Sequence, residues 1–163
     1  MSWLNRAPRA LLSLAVCFAA LGGVAIGSDA MGAADAAAAA VADSIIEIRT
    51  EGASLTFTPD RISIKNGTRI TIRYTNAGAL PHNFVLLKNE DDLDTVGMAA
   101  FDAADTGYVP LQHKDRFIAY SELAKPGDTV EVTFVVPEPG EYTFVCLYPG
   151  HYNMMLGTLR SLK

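Results

Sequence analysis

Four side chains spread over the 163-residue sequence are of the types that can do redox chemistry together. Cys146 is followed by His151 at a C-x4-H spacing, and Met155 lies four residues beyond. His82 sits far upstream, in Pro81-His82-Asn83-Phe84. Thiolate and thioether sulfur favour Cu(I), whereas imidazole serves both copper oxidation states. Two histidines, one cysteine and a weak axial methionine are the ligand set of a blue-copper site. A trigonal His2Cys plane compromises between the geometries the two oxidation states prefer. Little then has to move when an electron arrives.

Each residue alone has an ordinary reading. A lone buried cysteine packs as a small hydrophobe. A lone histidine is usually a hydrogen-bonded polar residue, and Met154 or Met155 alone would be core filler. The combination changes the odds, because two of the three histidines occupy the places the geometry asks for. His113, among Gln112, Lys114 and Asp115, reads as a solvated loop residue and is left out.

Ligands that far apart in the chain need a scaffold that brings its ends together. From Ser44 onward the rhythm is that of strands. Arg61-Ile-Ser-Ile-Lys65 alternates with period two, Asn66-Gly67 signals a hairpin turn, and Thr68 to Thr75 alternates again with β-branched enrichment. Shorter apolar runs follow at Asn83 to Leu87, Phe117 to Tyr120, Val130 to Val135, Tyr142 to Cys146 and Gly157 to Leu162. Pro126-Gly127-Asp128 and Glu138-Pro-Gly140 mark turns between them. The pattern predicts an all-β fold, a Greek-key antiparallel β-sandwich of seven to eight strands. Residues 89–116 are too long for a plain hairpin. They predict an insertion with a short helix, roughly Thr95 to Ala103, packed on the outside. Between Cys146 and Gly157 lies a loop at one end of the sandwich, and Pro149-Gly150 turns His151 back toward the metal.

The N-terminus reads as an export segment. Arg6 and Arg9 precede the apolar run Ala10 to Leu21, and small residues follow. A signal peptide over 1–30 and an uncleaved membrane anchor are the two readings. Residues 31–43 are an alanine-rich linker or tether, and 44–163 form the copper-binding domain. With Cys17 in the export segment, the exported domain keeps only Cys146, so it has no internal disulfide. That residue is a reactive thiol, an intermolecular link or a metal ligand. The formal net charge of -5, without a basic stripe, excludes a nucleic-acid binder. It favours solubility and steering toward a partner.

Two stretches resemble the cupredoxins, and specifically the azurin and auracyanin group. Pro81-His82-Asn83-Phe84-Val85-Leu86 is similar to the family's histidine-asparagine strand. Cys146-Leu-Tyr-Pro-Gly-His151-Tyr-Asn-Met-Met155-Leu-Gly-Thr-Leu159 is similar to its C-terminal ligand loop. The resemblance covers most of residues 44–163. It implies that His82 and His151 ligate copper through Nδ1, Cys146 through its thiolate, and Met155 as the axial ligand. It implies that Asn83 hydrogen bonds across the ligand loop and near the cysteine sulfur. Azurins turn a glycine carbonyl toward copper from the other side; here Pro81 stands in that place, and its fixed φ limits where the carbonyl can lie. Azurins also carry a disulfide near the N-terminus that this chain cannot form.

The expected function is a single-electron carrier with one type 1 copper ion, exported to the periplasm and either free or tethered by its N-terminus. Its redox partners, of cytochrome or oxidoreductase type, would dock on the apolar surface near His151, made of Leu80, Pro81, Tyr148, Pro149, Tyr152 and Met154. The alternative is copper delivery or storage. An enzyme is not expected, because no second cluster of histidines exists.

Overall fold

A computed structural model describes residues 44–163. The expected signal or anchor over 1–30 and the linker over 31–43 lie outside the described residues. Eight strands follow in order: β1 (Ser44–Gly52), β2 (Arg61–Lys65), β3 (Arg69–Gly78), β4 (Val85–Leu87), β5 (Phe117–Tyr120), β6 (Thr129–Val135), β7 (Gly140–Val145) and β8 (Leu156–Leu162). They form two sheets, one ordered β1-β3-β6 and the other β2-β8-β7-β4-β5. The period-two pattern has its expected consequence. Ile70, Ile72 and Tyr74 of β3 point into the gap between sheets, where Phe57, Ile62, Phe84, Phe144 and Leu159 meet them.

Two pairings depart from a purely antiparallel sandwich. β1 runs parallel to β3, and β2 runs parallel to β8, so both sheets are mixed. The Asn66-Gly67 turn is not a hairpin. β2 lies in one sheet and β3 in the other, so the turn carries the chain across the core. Gly67 adopts φ +71 there and donates its N–H to the Val136 carbonyl at 3.0 Å. A tight turn signal sets the local reversal; it does not say whether the next strand pairs with the last one or faces it.

Val85–Leu87 of β4, and Phe144 to Leu147 at the end of β7 and just beyond it, read as unbroken apolar runs because both of their faces are covered. Phe84, Leu86, Phe144 and Cys146 point into the inter-sheet core. Val85, Leu87, Val145 and Leu147 point the other way, into a second cluster with Val96, Ala100 and Val109 from the insertion. The insertion is therefore a lid on the outer face of the sheet. Its helix α1 (Leu93–Ala99) starts two residues earlier than predicted and is continued by a 3-10 turn at Ala100–Asp102. Carboxylates at Glu90, Asp91, Asp92 and Asp94 suit the positive end of a helix, which moves the start upstream. Asp92 is buried and ion-paired to Arg116, which ties the entrance of the insertion to its exit. No helix among the described residues is long and apolar enough to cross a membrane.

Candidate metal centre

Three of the sequence-predicted ligands converge at one end of the sandwich. His82 lies just before β4, where its N–H donates to the Ala124 carbonyl at 3.0 Å and its carbonyl accepts from the Ala124 N–H at 2.8 Å. Cys146 follows the last residue of β7. His151 sits in the loop between β7 and β8, at a turn closed by its own N–H donating to the Tyr148 carbonyl at 2.9 Å. Gly150 makes that turn with φ +82, a conformation side-chain-bearing residues rarely adopt.

Nδ1 of His82 is 3.2 Å from Nδ1 of His151, and the Cys146 sulfur is 3.7 Å and 3.6 Å from those two nitrogens. A point equidistant from the three atoms lies about 2 Å from each, in the range of metal–nitrogen bonds and a little short for metal–sulfur. His82 and Cys146 are 1% and 0% exposed, and His151 is 5% exposed. Burial, reinforced by the neighbouring His151, lowers the His82 imidazole to about 4, and burial lowers His151 as well. Both rings are therefore neutral at pH 7. Burial pushes the Cys146 thiol up to about 11, while the backbone N–H groups of Asn83 and Tyr148, hydrogen-bonded to its sulfur, pull the other way. Two neutral imidazoles and a buried sulfur facing one point suit a soft or borderline cation that displaces the thiol proton.

Met155 is fully buried in the same core as Cys146. Its N–H donates to the His151 carbonyl at 2.8 Å and its carbonyl accepts from the Cys146 N–H at 3.1 Å, so the backbone ties it to both residues. Met154, one residue away, is 58% exposed. His113 is half-buried in a 3-10 segment over Leu111–Arg116 and is not part of the group.

Asn83 spans the loop with its side chain and reaches the sulfur with its backbone. Its Oδ1 accepts from the Leu147 N–H at 2.7 Å, and its Nδ2 donates to the Gly107 carbonyl at 2.9 Å. Sequence reasoning missed Asn76 and Ser121. Fully buried Asn76 donates to the carbonyls of Leu80 and Ala124 at 2.8 and 2.9 Å and accepts from the Gly78 N–H, which clamps the loop leading into His82. Ser121 Oγ accepts from the Phe84 N–H at 2.9 Å. The available signal was Asn76 itself, a polar residue at an inward position of an alternating strand. A buried amide is kept only where its hydrogen bonds are made.

Residues 44–161 match the family model described as copper binding proteins of the plastocyanin/azurin family. Auracyanin-A of Chloroflexus aurantiacus is 38% identical over 119 residues, covering 70% of this chain and 72% of that protein. Auracyanin-B of the same organism is 33% identical over 118 residues, covering 70% of this chain and 50% of that protein. The solved structure of auracyanin A, titled a "blue" copper protein, superposes with a TM-score of 0.69 at 36% identity, covering 72% of this chain and 98% of that one.

Proposed function

The chain belongs to the plastocyanin/azurin family of copper-binding proteins, and from that premise we propose that it carries single electrons between redox partners outside the cytoplasm. The observation that carries this reading is the buried triangle of His82, Cys146 and His151, whose donor atoms face one point from two distant segments. Met155, buried beside Cys146, would complete the set as a weak thioether donor. Copper held there supplies a one-electron couple. The protein's part is to hold two neutral imidazoles and a thiolate in one arrangement for both oxidation states, and to keep water away from them.

Electrons would enter and leave near His151. Leu80 and Met154 are 44% and 58% exposed, and Pro81, Tyr148, Pro149 and Tyr152 are half-buried beside them. This apolar surface suits brief docking of a cytochrome or oxidoreductase, where weak contacts favour turnover. Met154→Lys should slow reduction by such a partner and leave the colour intact. Loss of colour would instead make Met154 structural or a ligand.

The N-terminal charge and hydropathy pattern supports export to the periplasm, with a tether through residues 1–43 as the second form. Copper delivery or storage is the competing function. Cyclic voltammetry of the copper-loaded chain separates the two. A carrier gives a reversible wave and keeps its copper through repeated cycles; a delivery protein releases Cu(I) to a chelator on reduction.

A further inference from the structure

The insertion does more than cover the sheet. Val96, Ala100 and Val109 are its fully buried contribution to the outer face of β4 and β7, and Leu93, Tyr108 and Tyr152 pack around them. Yet the insertion also touches the ligand loop on both sides of His151. On α1, Gly97 is bare where Tyr152 lies against it; a Cβ there would overlap the ring, with Cε2 at 2.7 Å. The Tyr152 hydroxyl donates to the Met98 sulfur at 3.5 Å. Farther along, the Tyr108 ring meets the Tyr148 ring edge-on, with centroids 5.0 Å apart, and Tyr148 in turn lies 4.9 Å from the His151 ring.

Tyr108 holds this position in an uncommon backbone conformation, φ +64, where a bulky side chain is disfavoured. It is pinned there from its own end and from the site's end. Its N–H donates to the Ala103 carbonyl at 2.7 Å, and the preceding Gly107 carbonyl takes the Asn83 side chain. Such a conformation persists only where surrounding contacts over-determine it, and it concentrates at functional sites.

We propose that the insertion is a positioning clamp for His151: Gly97 seats Tyr152, Tyr108 seats Tyr148, and the two tyrosines flanking the imidazole set how it meets the metal. The proposal rests on His151 being a copper ligand. None of the four residues touches the metal; they act through the loop that presents His151.

The test uses Gly97→Ala and Tyr108→Leu in the full chain, with Tyr152→Phe as the conservative variant. Gly97→Ala drives the Tyr152 ring off its seat. Copper affinity should fall about tenfold, as for other residues that orient a metal ligand. The visible band should shift, and the His151 ring resonances of the metal-free protein should broaden. Tyr108→Leu should move the same readouts in the same direction by less, and it carries the test if Gly97→Ala fails to fold. Tyr152→Phe keeps the ring and should match the parent. The clamp is overturned if both variants only lower the unfolding temperature while band, affinity and His151 resonances stay at parent values. A parent chain that takes up no copper defeats the electron-carrier reading, and the metal-free His151 resonances then still decide for or against the clamp.

Discussion

The two histidines of the site are held in different ways. His82 is fixed by backbone. It exchanges two hydrogen bonds with Ala124, the loop before it is clamped by the buried Asn76 amide, and the strand after it is paired on both sides, with β7 and β5. His151 is fixed by a loop. A glycine turn, hydrogen bonds to Tyr148, Met154 and Met155, and the ring of Tyr148 hold it near the surface. Cys146 and Asn83 join the halves, since the sulfur faces both imidazoles and the amide bonds the ligand loop from the His82 side. One histidine is thus set by the fold and the other by local packing. That suits an electron carrier, which needs a stiff site and one ligand close to its partner.

The comparison breaks most visibly at Asn76. Asn76→Ala leaves the Leu80 carbonyl and the Gly78 N–H without their partner. It should cost about 2–3 kcal/mol of stability through unmet buried hydrogen bonds. Denaturant titration reads that loss. Copper affinity should fall with it, because the His82 half loosens. An unchanged midpoint would mean that the Ala124 pairing alone fixes His82.

A smaller effect follows pH. With both imidazoles lowered and the Cys146 thiol raised to about 11, the metal-free site carries one proton to lose at neutral pH. Apparent copper affinity should therefore rise about tenfold per pH unit between roughly pH 7 and 9. As acid approaches the His82 value of about 4, protons compete at the imidazole too, and the slope steepens. A slope of two between pH 7 and 9 would show that one histidine is protonated in the free protein, and that the two halves differ in protonation as well as in anchoring.

The smallest change sharpens the axial direction. Met155→Leu keeps a buried apolar side chain of similar size, so the fold should tolerate it. The colour should persist and the reduction potential should rise, read by voltammetry. Loss of copper binding would make Met155 an in-plane ligand or an essential core residue.

Much of this was legible in the residues. The C-x4-H spacing, the Pro149-Gly150 turn and the upstream His82 marked three donors that the structure brings within 4.8 Å of one another. Strands β2 and β5 appear with the bounds of their runs, β6, β7 and β8 within two residues of theirs, and β3 runs on three residues past Thr75. Pairing was not legible. Asn66-Gly67 looks the same whether the chain folds back within a sheet or crosses the core. The double burial of β4 and β7 also hid the insertion's purpose, because a continuous apolar run does not say what covers its second face. Gly97 and Tyr108 carry no local signal, since their roles exist only once Tyr152 and Tyr148 have been folded against them.

The central claim is a thiolate–copper site built from both halves. Its most direct test is the visible absorption spectrum of the full chain with Cu(II), recorded beside Cys146→Ser. The account predicts an intense orange-red band for the parent, bleached by ascorbate, and none for the variant. A parent that binds copper without that band, or a variant that keeps it, would contradict the site.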